Sequence, residues 1–545
     1  MSGGVDSMAL ACLCSKIQKT PYPILRTLLQ SEHGQSSIGT PLSRNIGFQA
    51  FVVDHGVREG SGTEAQAVSK VLERRDIPTQ LLKIDWGGHE RPAELPNFES
   101  LARKYRFEAL GKACRNLGIN SLLLAHHEDD IIETVMIRLI TGHRAAGLVG
   151  IQPSSEIPEC YGLHGVHESG GIDIPAWGRR RDASSTSTPP RQTLSLEPLE
   201  TEFGGVRVER PLLQFNKERL VATCIEEGME WFEDHTNKDP RVTLRNAIRH
   251  MYKSYTLPAV LSKLAILELS RKCREKQVVK RDIASSWLQQ CSINLDTRTG
   301  TLRVRFVNLN HLSKSPSDID SKYTAALLLR RIVMLATPQE HVSLPSLIGA
   351  VERLFPECFW TRKSPPPRTA FTVAGLYFTL HTPEKAQNDS MPATKCEWLI
   401  SRQPYLSSKP QPRIDIPARS GRLTDSSWSP WALYDGRFWI RVQNLATASM
   451  VIRSFRRDDM TDFLSSFSKS NAAVLRNLLK RLARYGIPWT LPVLESRDPG
   501  GKEKVLGLPT LGVGIPNVKE KVNWEVRYKK VDMDDIATAE AVGTI

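Results

Sequence analysis

The apolar positions of this chain change their period along its length. Met8, Ala9, Leu10 and Leu13 follow a polar, glycine-rich start and predict a helix to about residue 18. Residues 48–53 are a short apolar run with the pattern of a buried parallel strand. Ser61-x-x-Glu64 reads as a capping box that opens a helix to about residue 75. Residues 81–84 predict the next strand, Asn97 caps a helix ending near Gly118, and residues 121–125 predict a further strand. This alternation predicts an α/β fold with a doubly wound, mainly parallel sheet. Leu220, Val221, Cys224 and Ile225 keep a helical period closed by Gly228. Residues 257–356 look helical, most clearly at 325–335 and 344–355. Beyond 370, short strand-like runs at 371–380, 438–442 and 450–455 precede a basic helix at 474–485 and an extended run at 491–494.

Chemistry gathers where the apolar runs end. Ser2-Gly3-Gly4-Val5-Asp6-Ser7 turns tightly into the first helix, so backbone N–H groups, two hydroxyls and the helix's positive end face one point. Such a turn suits phosphate groups, but lacks the Gly-Lys-Ser/Thr closure of a Walker A loop. Loops of this kind usually leave a parallel strand. Only Met1 precedes this one, so a strand upstream of the given sequence is expected. Asp54 and His55 follow the strand at 48–53, on the ligand-binding edge of such a sheet. His126, His127, Glu128, Asp129 and Asp130 follow the strand at 121–125. Asp130, Glu133 and Thr134 then share one helical face. Oxygen ligands of this type suit magnesium. Acids that merely complement a helix dipole are the plainer reading of one or two of them, and zinc on His126, His127 and Asp130 is a weaker alternative.

A net charge of +14 and a pI near 9.3 point to a polyanionic partner, most simply nucleic acid. The nine cysteines form no C-x-x-C pair, which suits a reducing compartment. Residues 153–201 are rich in Ser, Thr, Pro and Gly, with Arg179-Arg180-Arg181, and are expected to be a disordered insertion.

Taken in order, SGGVDS at 2–7, VDHGVR at 53–58, NFESLARKYRF at 97–107 and AHHEDDIIET at 125–134 resemble the tRNA(Ile)-lysidine synthetases, N-type ATP pyrophosphatases of the PP-loop family. Glu209-Arg210-Pro211-Leu212-Leu213, Trp231-Phe232-Glu233-Asp234 with Asn237, and Arg245-Asn246-Ala247-Ile248-Arg249 extend the likeness to about residue 260. A fainter likeness covers the C-terminal region. The resemblance implies an adenine nucleotide alpha hydrolase-like fold over residues 1–255, a helical domain over 256–360 and a basic α+β domain over 370–530.

It implies a ligase that joins lysine to the wobble cytidine of a CAU-anticodon tRNA(Ile), with ATP and magnesium. ATP would lie on Ser2, Gly3, Gly4, Val5, Asp6, Ser7, Asp54 and His55, with Asp6, His126, Asp130 and Arg245 as catalytic candidates. Asp6, Asp129 and Asp130 are the candidates for magnesium, and Glu99, Arg103 and Glu133 for lysine. Arg249, Arg453, Arg456, Arg457, Arg476, Lys480 and Arg481 are the expected tRNA contacts. The alternatives are a related PP-loop tRNA thiolase, against which the missing C-x-x-C pairs count, an amidotransferase such as a GMP or NAD synthetase, and a non-catalytic RNA-binding descendant. A mitochondrial matrix location is expected, with the cytoplasm as the alternative; no membrane partner is. The oligomeric state stays open, a homodimer included.

Overall fold

The computed structural model describes residues 1–20, 46–57, 60–87, 92–171, 197–232, 243–309, 319–359, 369–381, 396–406, 408–418, 428–483, 486–497 and 503–532. Arg58, Arg179–Arg181, Glu233, Asp234, Asn237 and Arg484 lie outside them. The chain divides into two compact units, residues 1–160 with 205–277, and residues 161–204 with 278–545.

In the first unit, α1 (Val5–Lys19) precedes β1 (Ala50–Asp54), α2 (Ser61–Glu73) and β2 (Thr79–Lys83). The unit continues with α3 (Phe98–Leu117), β3 (Ser121–Leu123), α4 (Glu128–Ile140), β4 (Ser154–Glu156), β5 (Arg207–Glu209), α5 (Lys217–Glu226) and α6 (Leu244–Ser254). Helix α7 (Lys263–Gln289) begins here. Strands β1 and β2 pair in parallel from Ala50↔Thr79 to Asp54↔Lys83. Strands β3 and β5 also pair in parallel, and β4 adds an antiparallel edge. The α/β architecture is the expected one. One core packs Met8 and Leu10 of α1 with Val52, Val68, Leu72 and Leu220, all buried. A second packs Ile132 and Val135 of α4 with Leu213, Ile248 and Ile266. Burying each such side chain contributes about 1.5–3 kcal/mol.

Two local expectations are corrected. Ser61 does not cap α2. Its hydroxyl donates to Asp54 Oδ1 at 2.8 Å, and Gly60, at φ +85°, takes the N-cap position. Parts of 153–201 are ordered: β4 pairs with β5, Cys160 is buried, and His164 bonds Glu202 at 2.8 Å. Sequence composition hid this, because strand pairing and a long-range side-chain hydrogen bond supply what the few apolar residues do not. Residues 172–196 lie outside the described residues.

The second unit is an α+β body with β6 (Ser292–Asp296), β7 (Thr301–Arg305), α8 (Ile319–Met334), α9 (Leu344–Leu354) and α10 (Pro356–Phe359). Strands β8 (Phe371–Val373), β9 (Leu376–His381), β10 (Glu397–Arg402), β11 (Ile414–Ile416), β12 (Ala432–Tyr434), β13 (Phe438–Asn444) and β14 (Ser449–Ser454) follow. It closes with α11 (Asp459–Ser465), α12 (Lys469–Ala483), β15 (Pro492–Arg497), β16 (Glu503–Leu508), β17 (Val513–Gly514) and β18 (Val522–Tyr528). One sheet runs β6-β7-β10-β9-β8. It therefore crosses the boundary expected between 360 and 370, because β7 finds its partner in β10. Among the described residues no helix is long and apolar enough to cross a membrane.

Candidate active site

Three helix N-termini meet in the first unit. Gly3 takes φ +76°, and its carbonyl accepts Phe232 N–H at 2.9 Å. Gly4 then caps α1, and Ser7 Oγ donates to Gly4 O at 2.9 Å. Asp6, in the first turn of α1, faces His127 Nε2 at 3.5 Å and Lys217 Nζ at 3.6 Å. His127 precedes α4 and Lys217 opens α5, whose backbone N–H donates to Asp129 Oδ2 at 3.2 Å. The positive ends of α1, α4 and α5 thus share one space, a ready anion site.

The tight turn depends on Gly3. A Cβ there would lie 2.7 Å from Val68 Cγ2 and 3.2 Å from Phe232 Cδ2. The left-handed conformation itself costs a non-glycine residue about 1–2 kcal/mol. Gly3→Ala is therefore expected to weaken ATP binding about tenfold or more, since roughly 1.4 kcal/mol is one decade. Isothermal titration with ATP, beside a thermal scan, would check this.

His127 is buried among carboxylates. Burial alone would lower its pKa, but Asp129 and Asp6, with Asp130, outweigh that and raise it from 6.5 to about 9. A raised folded pKa stabilises fully below the unfolded value and is lost as pH rises through the folded one. The nucleotide-free chain is therefore expected to lose stability between pH 6.5 and about 9. His127→Gln should flatten that part of a thermal-midpoint profile. Burial works against ionisation of Asp6, yet His127 and Lys217 hold its carboxyl below its ordinary value. Asp6 Oδ1 is buried without a hydrogen-bond partner.

His126 behaves oppositely. Burial, with Arg210, Arg245 and Arg106, lowers its pKa to about 4 against the pull of Asp130. Arg210 Nε donates to His126 Nδ1 at 3.2 Å. The neutral ring therefore carries its proton on Nε2, as a donor.

Structure distributes the other acids unevenly. Asp129 is engaged by His127, Lys263 and the Lys217 backbone, which hold its pKa down. Asp130 Oδ2 accepts His127 N–H at 3.0 Å, and Arg245 Nη1 lies 3.8 Å from Oδ1. Glu133 is buried, meeting Arg249 Nη2 at 3.1 Å and Arg245 Nε at 3.2 Å. Burial raises its pKa against Arg249. Asp54 accepts Gly56 N–H at 2.9 Å and the Ser61 hydroxyl, so it ties Gly56, just past β1, to the first turn of α2.

His55, Glu99 and Arg103 come together instead with Phe98, Ala102 and Arg106 around a cavity of about 360 Å³. Trp86 backs it, stacked on Phe98 at 5.5 Å, and donates to His55 O at 2.7 Å. Burial, then Arg106, lowers the His55 pKa. Arg106 is half-buried, and no carboxylate lies within ion-pair distance of it among the described residues. Burial lowers its pKa, and Arg103 and Arg245 add to the effect. Such a guanidinium suits an anionic ligand. Sequence reading passed over Arg106, Arg210, Lys217 and Lys263. The first two lie inside quoted motifs, but nothing in spacing aims them at the site.

The remaining expected contacts lie in the second unit. Arg456, Arg476, Lys480 and Arg481 are exposed there, and so is Arg457, whose guanidinium lies 5.7 Å over the Trp489 ring. Arg453 is not exposed. It is buried, with Nη1 2.7 Å from Asp459 Oδ2 and Nε 2.7 Å from Glu495 Oε2. Its charge holds strands and helix together, which corrects its assignment as a tRNA contact.

Residues 1–166 and 185–254 match the model of the PP-loop domain. The chain is 26% identical over 522 residues to a probable tRNA(Ile)-lysidine synthase of Schizosaccharomyces pombe, covering 94% of this chain and 90% of that protein. It is 27% identical over 243 residues to the tRNA(Ile)-lysidine synthase of Rhodopseudomonas palustris, covering 45% of this chain and 49% of that one. Over 216 residues it is 30% identical to the Methylobacterium nodulans enzyme of the same name, covering 39% of this chain and 49% of that one. It thus spans about half the length of these bacterial relatives. A solved U34-tRNA thiolase, NcsA from Methanococcus maripaludis with its [4Fe-4S] cluster, shares 13% identity at a TM-score of 0.28, over 50% of this chain and 71% of that one.

Proposed function

We propose that this chain, which carries a PP-loop domain like that of the tRNA(Ile)-lysidine synthases, is an ATP-dependent carbon–nitrogen ligase acting on tRNA. In the first step, O2 of the wobble cytidine of a CAU-anticodon tRNA(Ile) attacks the α-phosphorus of ATP, and pyrophosphate leaves. In the second, the amine of lysine attacks C2, loses a proton, and expels AMP through C–O cleavage. The observation that carries this reading is the meeting of three helix N-termini at the Ser2–Gly4 loop, beside a buried, unpartnered carboxylate oxygen of Asp6.

Charge builds on the pyrophosphate as it leaves, and preorganised donors stabilise it. Loop amides, Lys217 and protonated His127 supply that field. Neutral His126 offers Nε2–H to a phosphate oxygen, a better match to its tautomer than proton abstraction. Asp6 fits magnesium through its unpartnered oxygen. Among the described residues no three His, Cys, Asp or Glu form a metal-holding group. Magnesium takes one or two carboxylates and completes its shell with phosphates and water. Magnesium would supply neutralisation of the phosphate charge.

Free lysine brings a carboxylate and ammonium groups. The cavity of about 360 Å³ offers Glu99 for a cation and Arg106 for an anion, on an apolar wall of Phe98 and Ala102, while Arg103 at its edge meets Glu159 at 3.1 Å. Glu133, held by Arg245 and Arg249, serves better to fix those arginines. Glu99→Gln is expected to raise the KM for lysine about tenfold or more, as charge-assisted hydrogen bonds contribute roughly 1.5–3 kcal/mol. Pyrophosphate release without lysine should change little.

The deciding experiment incubates the chain with ATP, magnesium, labelled lysine and unmodified CAU-anticodon tRNA(Ile). Lysine in the tRNA with AMP released supports the reading. AMP without lysine incorporation assigns the second step to another nucleophile, such as the sulfur of a thiolase. No AMP overturns the assignment as a ligase.

A further inference from the structure

The second unit holds a cavity of about 220 Å³ lined by Tyr405, Gln411, Arg456, Arg457 and Trp489. Its chemistry is used by nothing described above. Phe455 is buried and stacks on Trp489, with ring centroids 5.9 Å and planes 11° apart. The turn bearing the arginines is fixed by Asp459 Oδ2, which accepts Arg456 N–H at 2.7 Å. Neither the Arg456 nor the Arg457 guanidinium lies within ion-pair distance of a carboxylate among the described residues. Gln411 Oε1 accepts the Ser454 hydroxyl, so the donor end of this amide is left for a ligand. Helix α12, with Arg476 and Lys480 exposed, packs against the 487–490 turn that carries Trp489.

We infer that this cavity receives an unpaired nucleobase of an RNA strand, while Arg456, Arg457 and the α12 cations meet the flanking phosphates. The inference rests on the RNA-binding part of the proposed function. A guanidinium over an indole marks a surface on which a flat, electron-rich ring also stacks. A duplex would present phosphates but no free base face, so the aromatic wall selects an unpaired nucleotide. The uncompensated arginines at the same cavity favour a polyanion over a neutral aromatic ligand.

The test uses the full chain and three fluorescent hexaribonucleotides at one salt concentration: r(A)6, r(U)6 and an abasic hexamer. The abasic strand should bind about tenfold or more weakly than the better of the other two, since base–aromatic stacking contributes roughly 1–3 kcal/mol. Trp489→Leu should close that gap, and Arg456→Gln with Arg457→Gln should weaken all three strands. Should Trp489→Leu lower the thermal midpoint, the exposed rim variant Gln411→Ala decides, and is expected to narrow the gap. Equal binding of base-bearing and abasic strands overturns the inference, and so does a gap untouched by both variants. Lysine incorporation is assayed on the same preparations. Normal incorporation with no base dependence overturns the cavity alone. Base-dependent binding without AMP formation overturns the ligase and keeps the cavity.

Discussion

Asp6→Asn is expected to lower AMP and pyrophosphate formation by about 10²–10³-fold, the scale on which single electrostatic contributors to a transition state act. The substitution keeps the shape of the side chain and removes its charge. One carboxylate oxygen faces His127 and Lys217, and the other is buried with no partner. Without the charge, His127 and Lys217 lose the anion they share, and the orphan oxygen loses the charge that would hold a cation against phosphate. The pKa of His127 should fall from about 9, because Asp6 is among the groups that raise it. Histidine NMR would report that shift independently of activity. Binding of tRNA should persist, since the substitution leaves the backbone of the loop intact. Full AMP formation by this variant would show that Asp6 merely complements the dipole of α1.

The second large effect is on stability. Arg453→Met is expected to destabilise the second unit by about 3–5 kcal/mol, because it takes the shared guanidinium from Asp459 and leaves buried Glu495 with Arg497 alone. Glu495 is fully buried and Asp459 nearly so, and both accept from Arg453. The thermal midpoint should fall by roughly 10 °C. Charge reversal of Arg476, Lys480 and Arg481 should do the opposite: little change in melting, and weaker RNA binding, with the salt dependence shallower by about one unit of slope per lost phosphate contact. If Arg453→Met instead melts normally and weakens RNA binding selectively, its burial between strands is not what keeps it.

How much of this was legible beforehand depends on which interactions a pattern can encode. The glycine-rich loop at 2–7, the strand-end histidines and acids at 126–130, and the pair Arg245 and Arg249 one turn apart were readable. They depend on neighbours in sequence and on the period of a helix or strand. The α/β order was readable for the same reason. Partners were not readable. That Arg453 meets Glu495, that Glu133 is spent on two arginines, and that His126 meets Arg210 while His127 meets Asp6 follow from groups tens of residues apart or more. Burial then sets the sign of each effect, because desolvation disfavours a charge unless an opposite one is close. The sequence by itself determined the glycine-rich turn, the elements that carry the acids and the basic character of the chain. Only the tertiary structure decided which charges stay without a counter-charge and which are consumed in holding the fold, because those partners meet through folding and not through spacing.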